Sequence, residues 1–177
     1  MRKILIATDK PFAKDAVEAI KAVAAGAGYQ LDLLEKYTEK QQLIDAVAKA
    51  EAVIIRSDII DNQVMQHAKD LKIVVRAGAG YDNVDLKSAT EHGVVVMNTP
   101  GQNSNAVAEL AFAMMLYMAR GWFDGGTGTE LRGKKIGIHA YGNVGKYVAE
   151  IAKGFSMDIY AYDPFIKDED IARDGVK

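Results

Sequence analysis

The stretch Ala140-Tyr141-Gly142-Asn143-Val144-Gly145 follows a short apolar run and opens a segment of helical period. A strand, a glycine turn and a helix in that order can hold a dinucleotide. Gly142 lets the backbone approach a pyrophosphate, and Gly145 lets the helix pack closely on the strand. The free N–H groups of the helix start at Asn143 and Val144 then face the anion. Asp163 stands eighteen residues after Gly145, at the end of the next apolar run. A carboxylate there accepts hydrogen bonds from ribose hydroxyls and repels a 2′-phosphate, which favours NAD over NADP. Ala140 occupies the place of the first glycine in G-x-G-x-x-G, and alanine suits that place only at negative φ. The competing reading makes Gly142 and Gly145 ordinary loop and packing glycines.

Two further residues can bind an anion. Arg56 follows the run Val53–Ile55 and Arg76 follows Ile73–Val75. In parallel α/β sheets ligands sit beyond the carboxyl ends of the strands, where arginines hold phosphate or carboxylate. The alternative for each is a solvated surface arginine. Of the histidines, His67 and His92 fall on surface helices, and His139 on the strand entering the turn is expected to be a satisfied structural group.

These residues require a frame. Short β-rich runs at 4–7, 31–34, 53–55, 73–75 and 94–97 alternate with helical patterns at 15–27, from a Thr38/Gln41 capping box onward, at 62–70 and at 85–92. Continuous apolar strands alternating with amphipathic helices predict a parallel sheet covered on both faces. The expected fold class is α/β: a flavodoxin-like doubly wound domain, followed by the first βαβ unit of a Rossmann domain at 135–139, 143–155 and 158–162. Between them runs a helix apolar almost all round, capped by Ser104 or Asn105. Such a helix is buried in a core or against another subunit. Its Met114, Met115 and Met118 read as core filler. The glycine-rich stretch at 124–129 reads as a linker. The expected division is 1–102 for a substrate domain, 103–121 for a connecting helix, 122–133 for a linker and 134–177 for the start of a nucleotide domain. Two strands and one helix cannot bury both faces of a sheet. The last segment is therefore expected to be propped by the long helix, by another subunit, or by nothing.

The chain has 177 residues, 49% apolar and 26% charged, with a formal charge of −2. That balance offers nothing to nucleic acid or anionic membrane. With no cysteine there is neither a disulfide framework nor a thiolate metal site, and no metal is expected. The N-terminal apolar run is interrupted at Asp9-Lys10, and the run 106–118 is shorter than the ~18–20 residues of a membrane span. A cytoplasmic location is the default expectation.

Four stretches occur in a fixed order: RAGAGYDNVD at 76–85, VMNTPGQNSNAVAEL at 96–110, ELRGKKIG at 130–137 and AYDP at 161–164. With them the chain resembles the D-isomer-specific 2-hydroxyacid dehydrogenases over nearly its whole length, and is nearest to the branch that oxidises 3-phosphoglycerate with NAD to 3-phosphohydroxypyruvate, opening serine biosynthesis. The resemblance implies homo-oligomers, dimers or tetramers, and a substrate domain completed by a returning C-terminal piece. It implies Arg56 and Arg76 near the phosphate of a phosphorylated 2-hydroxyacid, Ser57 among the substrate-binding residues, and backbone amides of Ala77, Gly78 and Ala79 at the carboxylate. Ala79 would also lie near the nicotinamide. Asn143 and Val144 would line the pyrophosphate in a cofactor-binding turn with Ala140, Gly142 and Gly145, and Asp163 would hold the ribose. The family's catalytic arginine, glutamate and histidine are expected beyond Lys177, so no catalytic residue is assigned and the chain by itself is expected to be nearly inactive. The linker at 121–129 is shorter than is usual for the family. A second reading is a non-catalytic module for anion or nucleotide binding, or for dimerisation. A third, a receiver-like domain, fails because Thr8-Asp9 lacks the clustered acids that a Mg²⁺ site needs.

Overall fold

A computed structural model describes residues 2–177, which form two compact units that meet in sequence between Pro100 and Gly101. The first unit is a five-stranded parallel sheet of β1 (Lys3–Thr8), β2 (Gln30–Glu35), β3 (Ala52–Ile55), β4 (Ile73–Arg76) and β5 (Val95–Asn98) in the order β2-β1-β3-β4-β5. That is the flavodoxin-like order. The connecting helices are α1 (Lys14–Gly26), α2 (Lys40–Val47), α3 (Asn62–His67) and α4 (Leu86–Glu91).

Strand alternation decides what each face buries. Leu5, Ala7, Val53, Ile55 and Val74 point to one face and form a dry core with Leu43 and Val47 of α2, Val64 and Met65 of α3, and Ala89 of α4. The opposite face carries the in-register row Ile6, Ile54, Val75 and Met97. Ile6 is fully buried, whereas Met97 is 52% exposed and its neighbour Val95 is 58% exposed. Sheet coverage is thus complete on one face and confined to the β1 side of the other, because only α1 lies there.

Local signals set the helix starts. Asp61 and Asp85 cap α3 and α4, accepting from the N–H groups of Val64 (3.2 Å) and Ser88 (3.0 Å). The capping box of α2 lies one residue later than Thr38/Gln41: its members are Glu39 and Gln42, and the Gln42 Oε1 accepts from Glu39 N–H at 3.1 Å. Helix α3 stops at His67 rather than running to residue 70.

The second unit comprises α5 (Ser104–Ala119), β6 (Lys135–His139), α6 (Asn143–Gly154), β7 (Asp158–Tyr162) and α7 (Asp168–Arg173). The parallel pair β6–β7 is propped by α5, the first of the three expected possibilities. Phe112 of α5 stacks on Phe155 with centroids 5.2 Å apart, within a core that includes Leu131, Tyr141, Ala149, Ile159 and Ile171. Lys177 also exchanges hydrogen bonds with Ile159 and Ala161 along the outer edge of β7. Neither Ser104 nor Asn105 caps α5. Asn103 precedes the first turn without a side-chain bond, and Ser104 is itself helical and buried. The methionines divide: Met115 packs on the core, but Met114 (59% exposed) and Met118 (63% exposed) face out. No helix among the described residues is long and apolar enough to cross a membrane.

Candidate functional site

In the first unit Arg56 directly follows β3, and Arg76 is the last residue of β4. The Arg76 Nε donates to the Arg56 carbonyl at 3.0 Å, so the two arginines are tied together at the carboxyl edge of the sheet. The Arg56 guanidinium reaches the carbonyls of Lys10 (3.4 Å) and Pro11 (3.3 Å) and lies 5.5 Å from the Phe12 ring centroid. Neither arginine forms a salt bridge among the described residues. Two guanidinium groups without a salt bridge at one edge favour an anion.

Gly78 matters to this pair, because a Cβ there would collide with the Arg76 guanidinium. Of the three amides expected to face a carboxylate, the N–H of Ala77 is engaged by the Ile55 carbonyl (2.8 Å) and that of Gly78 by the Arg76 carbonyl (2.9 Å). The N–H groups of Ala79 and Gly80 have no acceptor among the described residues. Asn98 holds the segment in place through a 2.6 Å bond from its amide to the Ala79 carbonyl. Ser57 is exposed and lines a cavity of about 400 Å³ with Tyr37, Lys40 and Asp58. Sequence reading missed Asp58, a carboxylate only 5% exposed. Its sole signal was its place two residues after Arg56.

In the second unit the glycine turn joins β6 to α6. Gly145 is required by packing, since a Cβ would overlap the Ala140 carbonyl oxygen. Gly142 is not, for a Cβ there would meet nothing within 4 Å. Open space over Gly142 and the N-terminus of the twelve-residue α6 make room for a phosphate. Asn143 and Val144 form the first turn of α6 and are both exposed. The Asp163 carboxylate accepts from the N–H groups of Tyr141 (2.7 Å), Phe165 (2.8 Å) and Ile166 (3.2 Å). The Phe165 bond foremost, with those from Tyr141 and Ile166, holds it below the usual carboxylate range. It therefore ties the end of β7 to the turn and stays ionised at neutral pH. The Tyr141 ring is buried and its hydroxyl donates to Asp174 at 3.0 Å; burial, then that bond, push its pKa up to about 12.

Ala140 overturns the expectation of negative φ, since its φ is +88°. The reason is tertiary: its N–H is held by the Tyr162 carbonyl at 2.8 Å while the next N–H is held by Asp163. An alanine at positive φ costs about 1–2 kcal/mol, and glycine returns part of any relief through the unfolded chain. Ala140→Gly should therefore stabilise the second unit by about 0.5–1 kcal/mol. Thermal unfolding checks this, and a variant melting no higher than the parent would refute the strain.

The histidines offer no shared site. The Nδ1 atoms of His67 and His92 bond to the Gln63 (2.8 Å) and Ser88 (2.9 Å) carbonyls of their own helices. His139, expected to be a satisfied structural group, is instead exposed, with its ring 5.9 Å from that of Tyr162. No cluster of metal-ligating residues occurs among the described residues.

Residues 4–157 match the family model described as D-isomer specific 2-hydroxyacid dehydrogenase, catalytic domain. The chain belongs to this family. It is 37% identical over 99% of its length to D-3-phosphoglycerate dehydrogenase of Archaeoglobus fulgidus, of which it covers 34%. It is 35% identical over 80% of its length to hydroxypyruvate reductase of Thermotoga maritima, of which it covers 51%. Among solved structures it is similar to the NAD+-bound 3-phosphoglycerate dehydrogenase of Entamoeba histolytica, with 47% identity and a TM-score of 0.90. That match takes in 95% of this chain and 56% of the other. The chain thus spans about a third of the Archaeoglobus relative and just over half of the solved one.

Proposed function

We propose that this family member binds NAD and 3-phosphoglycerate for the NAD-dependent oxidation of the acid to 3-phosphohydroxypyruvate. The observation that carries the substrate assignment is the linked pair Arg56 and Arg76 at the ends of β3 and β4, whose guanidinium groups form no salt bridge among the described residues. The guanidinium groups, with Ser57, hold the phosphate end, and the unengaged N–H groups of Ala79 and Gly80 receive the carboxylate. Ala77 and Gly78 shape that segment rather than donate to the acid. We assign Ala79 to the nicotinamide end of the cofactor as well, in keeping with the family resemblance.

For the cofactor, Ala140 and Gly142 provide the open turn, Asn143, Val144 and Gly145 the helix start, and Asp163 the ribose acceptor. Bound NAD supplies a hydride acceptor. The proton of the substrate hydroxyl must go to a base, a role we assign to none of the described residues.

Titration of the 177-residue chain with 3-phosphoglycerate tests the substrate reading. Removing a charge-assisted contact costs about 1.5–3 kcal/mol, or about tenfold or more in affinity. Arg56→Ala and Arg76→Ala should each weaken binding by that factor. Equal affinity in parent and variants would refute the anion site.

The partner proposed for α5 is a second copy of the chain. Val107, Leu110, Met114, Tyr117 and Met118 recur at helical spacing, and all are exposed. A stripe of that kind marks an interaction surface. Met118→Asp should lower the mass measured by light scattering. A mass unchanged by the substitution would exclude this stripe as the contact.

A further inference from the structure

The buried Asp58 holds the first unit's anion edge from behind. Its Oδ1 accepts from the Asp9 N–H (2.9 Å) and the Tyr37 hydroxyl (2.6 Å), and its Oδ2 accepts from the Arg56 N–H (3.2 Å). These donors follow β1, β2 and β3, so one carboxylate gathers three strand ends. No cation pairs with it among the described residues. A buried carboxylate without a cation is tolerated only when hydrogen bonds take its lone pairs.

The backbone of Arg56 is held from its other side as well. Its carbonyl accepts from the Asn83 amide (3.2 Å) and from the Arg76 guanidinium (3.0 Å), while the same Asn83 amide donates to the Asp58 carbonyl (2.7 Å). Both peptide groups of Arg56 are therefore immobilised, one by Asp58 and one by Asn83 with Arg76. Burial, then the bond to Asp58, raises the Tyr37 pKa, so its hydroxyl remains a donor across the neutral range. An apolar pair would seal the strand ends equally well, but it could not grip the Arg56 N–H.

We infer that Asp58 and Tyr37 are positioning residues for anion recognition: their hydrogen bond sets the Arg56–Ser57 turn so that the Arg56 guanidinium distinguishes a phosphorylated acid from an unphosphorylated one. The inference rests on the substrate reading above. Its test is equilibrium titration of the 177-residue chain with 3-phosphoglycerate and with D-glycerate, for the parent and for Tyr37→Phe, Asp58→Asn and Arg56→Ala, with NADH affinity and thermal midpoint as parallel readouts. Tyr37→Phe keeps the ring and removes only the donor, which guards against a poorly folding Asp58→Asn. It should weaken 3-phosphoglycerate about fivefold, leave D-glycerate within about twofold, and leave NADH unchanged. An equal loss for both acids, or none, while Arg56→Ala abolishes the preference for phosphate, would overturn the positioning role and leave the anion site standing. A parent with no preference for 3-phosphoglycerate, or an Arg56→Ala variant that keeps it, would overturn the anion-site reading and this inference together.

Discussion

Gly145→Ala is expected to destabilise the second unit by about 1–3 kcal/mol and to weaken NADH binding at least about tenfold. The new methyl would overlap the carbonyl oxygen of Ala140 and stand 3.2 Å from Ile138 Cγ2. The isoleucine could shift, but the carbonyl cannot. It belongs to a residue already at φ +88° whose N–H is fixed across the sheet. Relief must come from moving α6 away from β6, and that withdraws the helix start from the phosphate. Gly142→Ala is the matched contrast. Its Cβ meets nothing within 4 Å, so stability should change by less than about 0.5 kcal/mol while NADH affinity falls, because it fills the space proposed for the cofactor phosphate. Circular-dichroism melts and NADH titration separate the two. A Gly145→Ala protein with normal melting and normal affinity would rule out the close helix–strand packing.

Asp163→Ala is expected to weaken NADH about tenfold or more, through loss of a charge-assisted acceptor for the ribose. It should also lower the thermal midpoint, since the N–H groups of Tyr141, Phe165 and Ile166 lose their common acceptor. The ratio of NADPH to NADH affinity is the more specific readout. Removing the carboxylate removes the repulsion of a 2′-phosphate, so the ratio should rise; an unchanged ratio would dissociate Asp163 from the ribose. The pH dependence has a fixed sign. The folded-state pKa lies below the unfolded value of about 3.9. The stabilisation is therefore complete above about pH 4 and is lost as pH falls through the lower folded value. The Ala variant should melt closer to the parent in acid than at neutral pH.

The strands and helices were legible because their patterns are local. Continuous apolar runs mark strands buried in a parallel sheet, and the spacing of Gly142, Gly145 and Asp163 marks a candidate nucleotide turn without reference to anything distant. Where two neighbouring residues could serve equally, the local signal slipped. Gln42 rather than Gln41 closes the box on α2, because only the third helical position can reach back to the capping N–H.

The remaining features have no local signal. Helix α5 is apolar on every side, so its periodicity could not say which methionines face in; packing on Phe155 turns Met115 inward and leaves Met114 and Met118 outside. Asp58 looks like any aspartate in a polar turn until three strand ends converge on it. Composition and spacing by themselves determined the α/β class and the order of elements, and they set Arg56 and Arg76 at strand ends and the glycine turn between β6 and α6. Tertiary structure alone decided the left-handed backbone of Ala140, the engagement of the Ala77 amide by Ile55, and the burial of Asp58. Each depends on hydrogen bonds between segments brought together only when the strands align, and no window along the chain contains both partners.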